Sequence, residues 1–234
     1  MYHNFCQDQN LSQGLTISVS KFEQQLRYLS DQKYTSYFAS ELENLKVIAL
    51  KSIVLTFDDV TENQLIHAVP LLKKYNFKAT FFIPYGYIDK TDKWNASIDN
   101  LSHKIMTLDQ LKSLDSNIIE LGHHSYLHQK YDSLSTDEIQ KDFDACFNII
   151  RSNNLQITNS LAYPYGNFPK KNPQKKVFFK ILEENSIKMG FRIGNKVNTF
   201  PFKNKYEIQR IDVKGQDSFL KFRLKLKFGK LKLF

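Results

Sequence analysis

Two short stretches of this sequence carry side chains that can do chemistry together. Thr56-Phe57-Asp58-Asp59 sets two carboxylates side by side at the end of an apolar run. Adjacent carboxylates repel each other unless a cation or a proton sits nearby. At the end of an extended segment they point different ways, so each is free to take a separate role. Helix N-capping and metal chemistry both suit such a pair, and the spacing alone does not separate them. The second stretch is His124-Ser125-Tyr126-Leu127-His128. Histidines four apart share one face of a helical turn and can chelate one ion. Neutral imidazole is a good ligand for Zn²⁺ and its neighbours. His123 is an extra candidate, but adjacent side chains diverge, so the four-residue spacing favours His124. One carboxylate and two imidazoles make the three-ligand set of catalytic zinc, with a position left for water. A metal there lowers the pKa of water toward about 7 and polarises a carbonyl. The other aspartate is then available as a base.

These residues need elements that bring them together. Ser52–Phe57 reads as a buried strand ending on Asp58-Asp59. Lys78–Ile83 is a second strand, stopped by Pro84 and Gly86. Ile118–Leu121 is a third, ended by Gly122; Ser160–Tyr163 a fourth, before Pro164; Met189–Ile193 and Glu207–Val213 complete the set. Between them lie helical patterns. Ser20 and Glu23 form a capping-box pair before Phe22, Leu26 and Leu29. Leu65, Val69, Leu71 and Leu72 make a face, Thr107 with Gln110 starts a helix through Leu114, and Ser135–Arg151 and Lys175–Asn185 are longer helices. Strands and helices alternate with short links, which predicts an α/β fold with parallel strands, as a barrel or an open sheet. The polar clusters Asp58-Asp59, His123-His124 and Pro164-Tyr165-Gly166 all fall at strand C-termini, the chemical end of both architectures. Asp89–His103 is polar and patternless, a long loop carrying the sequon Asn95-Ala96-Ser97. His67 and His103 read as surface residues.

Composition narrows the classes. The chain has 234 residues, 41% hydrophobic and 14% aromatic, which is enough for one large domain and excludes a disordered or collagen-like chain. No apolar run approaches the roughly 18 residues of a membrane span. Cys6 and Cys146 are too few for a disulfide framework and read as small buried hydrophobes. No basic and apolar leader precedes the first strand, so the expectation is either a cytoplasmic location or a start that is not the native one. The net charge of +9 is concentrated at one end: seven basic residues and one acid lie between Lys214 and Phe234, or +6. The basicity belongs to a tail, so nucleic-acid binding is not expected.

Taken in order, Leu55-Thr-Phe-Asp-Asp59, Lys78-Ala-Thr-Phe-Phe-Ile-Pro84, Glu120-Leu-Gly-His-His-Ser-Tyr-Leu-His128 and Leu161-Ala-Tyr-Pro-Tyr-Gly166 resemble the NodB-homology polysaccharide deacetylases, the family-four carbohydrate esterases, over nearly the whole chain. The resemblance implies a distorted, incomplete (β/α) barrel, here residues 1–218, followed by a basic amphipathic tail, 219–234. It implies a divalent metal, zinc first, held by Asp59, His124 and His128. It makes Asp58 the general base and gives the Tyr165 backbone N–H to the oxyanion of the tetrahedral intermediate. Three departures stand out. Val60 replaces a glycine after the second Asp. Ala162 replaces the Arg that orients the base, and Arg210 is a weak substitute on the last strand. No histidine follows His128 to serve as acid. The biofilm poly-N-acetylglucosamine deacetylases resemble a permuted version with the acid histidine in an N-terminal Tyr-His strand, and Tyr2-His3 matches that, so His3 is the expected acid.

The implied activity is hydrolysis of the N-acetyl group of an N-acetylhexosamine in a glycan or a lipid-linked saccharide, releasing acetate. The rivals are a metal hydrolase acting on another acyl group or amide, and a non-catalytic member that binds glycan or membrane, favoured by Val60 and Ala162. In the tail, Leu220, Phe222, Leu224 and Leu226 alternate with Lys221, Arg223, Lys225 and Lys227. That pattern predicts a half-buried edge strand or a membrane-surface segment.

Overall fold

The computed structural model describes residues 1–94 and 102–230, so the sequon at Asn95 lies outside the described residues. In chain order, β1 (Asn4–Cys6) pairs in parallel with β2 (Thr16–Ser18), and α1 (Val19–Asp31) follows. β3 (Thr35–Ser36) pairs with β4 (Ser52–Ile53). Then come β5 (Leu55–Asp58), a π-helical turn over Gln64–Ala68 that runs into α2 (Val69–Lys74), β6 (Ala79–Ile83), α3 (Leu108–Lys112) and β7 (Ile119–His123). The chain continues with α4 (Thr136–Asn153), β8 (Ser160–Ala162), α5 (Gln174–Glu184), β9 (Met189–Ile193), β10 (Ile208–Arg210) and α6 (Phe219–Phe228). The main sheet is parallel, in the order β10-β9-β8-β7-β6-β5. Parallel neighbours require crossovers; helices supply them from β5 to β9, and an irregular segment links β9 to β10. The sheet is a half-barrel: the alternation of elements predicts its parallel strands, and the family resemblance its incomplete closure.

An incomplete barrel leaves two strand edges, each with unpaired backbone groups. Here the segment Met1–His3 lies between them. On the β5 side, the Tyr2 N–H donates to Thr56 O at 2.9 Å and Tyr2 O accepts from the Asp58 N–H at 3.0 Å. On the β10 side, Met1 N donates to Ile211 O at 2.9 Å and Met1 O accepts from the Val213 N–H at 3.3 Å. Tyr2 is fixed further by Phe22 and Phe57 at ring distances of 5.0 and 5.3 Å, and its hydroxyl donates to Gln25. Burying aromatics of this size contributes about 1.5–3 kcal/mol each. His3 is thereby delivered to the C-terminal ends of β5 and β10.

Several local expectations are corrected. The Ser52–Phe57 run is two strands, because at Val54 the chain passes from β4, the partner of β3, to β5 of the main sheet. The Ser20–Glu23 capping box does not form. Ser18, at the end of β2, caps α1 by accepting from the Lys21 N–H, so the helix starts earlier. Gly122 does not end β7. The strand runs on to His123, and glycine is needed because a Cβ there would come within 2.8 Å of the Phe82 ring. Cys146 is buried, but Cys6 is only half-buried. The alternating tail is not a strand: Ser218 caps α6, with Phe219, Phe222 and Leu226 at helical spacing toward the core. Lys225 also points inward, to Asp217 and to Asp212 O, so the apparent alternation of apolar and exposed basic positions fails at that lysine.

Candidate active site

Asp58 ends β5, Asp59 follows it, and both are buried. Asp59 and Val60 both have left-handed backbones, φ 74° and 44°. Val60 therefore adopts the conformation that glycine would take freely. A β-branched residue there costs roughly 1–2 kcal/mol. Its side chain is fully buried, which offsets a strain of that size. The turn survives the substitution.

The two histidines do not lie on a helical turn. His124 follows β7 and extends its ladder, its N–H donating to Ile83 O at 3.0 Å. The next residues form a loop in which Ser125 and His128 are left-handed, φ 65° and 54°. Asp142 of α4 holds that loop: its Oδ1 accepts from the Tyr126 and Leu127 N–H groups at 2.9 and 3.3 Å, and its Oδ2 from the Tyr131 hydroxyl at 3.2 Å. The His128 N–H donates to Ser125 Oγ at 2.8 Å. These side-chain acceptors replace the hydrogen bonds of a helix, and the rings still meet, with centroids 4.9 Å apart.

Asp59, His124 and His128 converge. Each offers one ligand atom, all within 4.8 Å of one another, and all three residues are buried. His124 Nε2 and His128 Nε2 lie 3.5 and 3.4 Å from Asp59 Oδ1. His124 Nδ1 is 2.7 Å from Ala162 O. As a donor to that carbonyl it leaves the Nε2 lone pair facing Asp59, the orientation a metal ligand needs. His128 is oriented by packing: the Trp94 ring stacks on it at 4.0 Å and Tyr165 meets it edge-on at 4.8 Å. Burial lowers the pKa of both histidines, so they are neutral and able to ligate. One carboxylate and two neutral imidazoles suit a divalent ion of the zinc type. His123 points elsewhere, against Tyr85 and Phe147, and takes no part.

Asp58 faces a guanidinium. Arg210 of β10 makes a bidentate pair with it, Nη1 to Oδ1 at 2.5 Å and Nη2 to Oδ2 at 2.7 Å. The position of the expected arginine is Ala162, whose carbonyl serves His124 instead, and the guanidinium comes from the far edge of the sheet. Burial opposes ionisation of Asp58. Arg210, with His124 and His3, outweighs it and holds the carboxyl well below the usual range. His3 Nε2 lies 3.7 Å from Asp58 Oδ2 and His124 Nε2 lies 3.9 Å from it. Burial pulls the pKa of His3 down to about 4, with Asp58 opposing and Arg210 adding to the shift.

Tyr165 has φ 57° in the Pro164–Gly166 turn, and the residue is 45% exposed, its ring beside His128. The turn is closed by the Gly166 N–H to Tyr163 O and the Asn167 N–H to Pro164 O, which leaves the Tyr165 N–H outside its internal hydrogen bonds.

Three residues near the site are missed by sequence reasoning. Gln64, in the π-helical turn, donates to both Asp58 O and His3 O, at 2.6 and 2.7 Å, and ties the two together. Trp94 donates to Asp59 Oδ2 at 3.3 Å and stacks on His128. Asp142 organises the histidine loop. Only Trp94, the sole tryptophan, carried a signal by composition. Gln64 and Asp142 look like ordinary helix residues.

The sequence and the fold are similar to those of known deacetylases. A family profile described as polysaccharide deacetylase matches residues 49–177. A poly-beta-1,6-N-acetyl-D-glucosamine N-deacetylase of Staphylococcus aureus is 28% identical over 212 residues, covering 84% of this chain and 67% of its own length. Two solved structures share the fold. One is the Streptococcus pyogenes deacetylase PplD in complex with acetate, with TM-score 0.76, 21% identity and coverage of 97% of this chain and 96% of its own. The other is IcaB from Ammonifex degensii, with TM-score 0.76, 20% identity and coverage of 97% and 94%.

Proposed function

The chain belongs to the polysaccharide deacetylase family, hydrolases of amide bonds, and from that premise we propose a metal-dependent enzyme that removes the N-acetyl group of an N-acetylhexosamine in a glycan. The observation that carries the reading is the adjacency of two units. One is a buried Asp59–His124–His128 donor set; the other is an ionised Asp58 clamped by Arg210. The similarity to a poly-beta-1,6-N-acetyl-D-glucosamine N-deacetylase supports a β-linked N-acetylglucosamine chain as substrate.

Asp59, His124 and His128 would hold a divalent ion, and two imidazoles with one carboxylate suit zinc. When bound, that ion supplies Lewis-acid polarisation of the amide carbonyl and a water of lowered pKa. Asp58 accepts the proton of the attacking water; its low pKa keeps it ionised and ready at neutral pH. The Tyr165 N–H donates to the developing oxyanion. His3 begins neutral, because its pKa is near 4. It takes up the proton collected by Asp58, 3.7 Å away, and delivers it to the leaving nitrogen. A low pKa makes the imidazolium a strong donor once formed.

The test is acetate release from N-acetylglucosamine oligomers by the zinc-loaded protein, beside a panel of O-acetylated and non-glycan amide substrates. Asp58→Asn should lower kcat/KM by about 10²–10⁴-fold while keeping the metal. Asp59→Ala with His124→Ala should lose both metal and activity. His3→Ala at full rate would remove His3 from the acid role. A wild type that binds zinc tightly yet favours another panel substrate would overturn the glycan reading.

A further inference from the structure

The deacetylase site leaves α6 unused, and this helix is unusual in carrying two apolar faces. Its inner face is anchored. Phe222 is buried, Phe219 and Phe222 pack against Tyr28 of α1 at 5.5 and 6.5 Å, and Lys225 reaches inward to the buried Asp217. Both ends are pinned: Ser218 Oγ accepts from the Lys221 N–H at 3.2 Å, and the Lys230 N–H donates to Asn195 O at 2.7 Å. The outward direction of the helix is therefore fixed.

Along that outer face Leu220, Leu224 and Phe228 recur every four residues, which places them in one row. Leu220 is 61% and Phe228 54% exposed. Arg223 and Lys227 run alongside at the same spacing, Lys221 lies on the other flank, and Lys230 follows the helix end; all four are exposed. Lys221 pairs with Asp217, and Arg223 lies over the Tyr28 ring, but among the described residues Arg223, Lys227 and Lys230 have no ion pair. Helices α1, α4 and α5 each carry at least two acidic residues, whereas α6 carries none. A merely solvated face needs neither an apolar row nor an all-cationic border.

We infer that the outer face of α6 docks on an anionic lipid bilayer, lying flat with Leu220, Leu224 and Phe228 toward the acyl boundary and Arg223, Lys227 and Lys230 toward the headgroups. Among the described residues no helix is long and apolar enough to cross a membrane, so the helix lies on the surface. The combination of an apolar strip and flanking cations is what in-plane binding requires. Each cation contributes about fivefold to binding at an anionic surface, and the attraction weakens with salt. The inference does not depend on the deacetylase reading.

The experiment is co-sedimentation of the full chain with vesicles of phosphatidylcholine alone or mixed with phosphatidylglycerol. Wild type should bind the mixed vesicles, and high salt should weaken the binding. Arg223→Glu with Lys227→Glu should lower binding by about 25-fold or more. Leu220→Ser with Phe228→Ser should also lower it, though every cation remains. Circular dichroism and zinc binding should be unchanged in both variants, since the four side chains are exposed. No binding by wild type, or equal binding by the variants, overturns the proposal. So does a dimer that the Leu220→Ser, Phe228→Ser variant dissolves, because the apolar row would then belong to a second copy. Binding to duplex DNA that ignores the apolar substitutions, without vesicle binding, also overturns it.

Discussion

Arg210 and Asp58 are 152 positions apart in the chain and form the most directional contact of the site. Bidentate geometry is specific to the guanidinium, so lysine is not an equivalent partner. Removing the arginine leaves a buried carboxylate with its desolvation unopposed, which costs about 3–5 kcal/mol. The consequence for catalysis has a definite sign. As the proposed base, Asp58 has to be ionised to accept a proton, and Arg210 is the main force keeping it so. In Arg210→Met the carboxyl rises, and the acidic limb of the kcat/KM profile should move to higher pH, with about 10²-fold lower activity near neutrality. Arg210→Lys should lie between the two. A pH profile measured on the three proteins checks this; an acidic limb that stays in place in Arg210→Met would show that another group sets it.

At the scale of elements, the histidine loop depends on α4. The loop cannot satisfy its own backbone, because its left-handed residues break the helical pattern, and Asp142 supplies the missing acceptor. Burial raises the pKa of Asp142, while the Tyr126 and Leu127 N–H groups and the Tyr131 hydroxyl pull it back. Asp142→Ala should leave two donors without a partner and loosen His128 while α4 stays in place. Zinc affinity is then expected to fall by about 10–100-fold, the usual effect of losing a group that supports metal ligands. Titration with a competing chelator measures it. Asp142→Asn, which keeps an acceptor for both N–H groups, should retain most of the affinity, and unchanged affinity in Asp142→Ala would separate the loop from the metal.

For the whole molecule, burying neutral histidines makes the fold sensitive to acid. Burial takes His123 from 6.5 to about 4, and His3 from 6.5 to about 4. Unfolded histidines take up protons near 6.5, where the folded ones do not. Stability is therefore present in full above that pH, falls as the pH drops from 6.5 toward 4, and stays reduced below. Each gap corresponds to about 3 kcal/mol. Asp58 acts in the same direction at still lower pH: its depressed pKa contributes stability above the unfolded value, lost as pH falls through the folded one. Urea unfolding of the metal-free protein should thus give a clearly lower midpoint at about pH 5 than at about pH 7.5. Equal midpoints would mean that these histidines are not buried in neutral form.

The amino-acid sequence made legible the alternation of strands and helices, the placing of polar residues at strand ends, and a histidine pair that could join either aspartate, with Asp59 chosen only by the family resemblance. These are local matters: a β-branched run, a capping box or a four-residue histidine spacing is written in neighbouring residues. It also pointed to His3 and, weakly, to Arg210. Tertiary structure alone decided how they meet. The half-barrel leaves a seam, Met1–His3 fills it, and β10 lies across it, so His3 and Arg210 reach Asp58 from opposite ends of the chain. It also decided that His124 and His128 converge through a loop braced by Asp142, that Val60 holds a glycine conformation by being buried, and that the basic tail is a helix. Each depends on contacts between residues far apart in sequence, whose free energy no local pattern encodes, and a strand-like alternation yields when burial of Phe219, Phe222 and Leu226 favours the helical period.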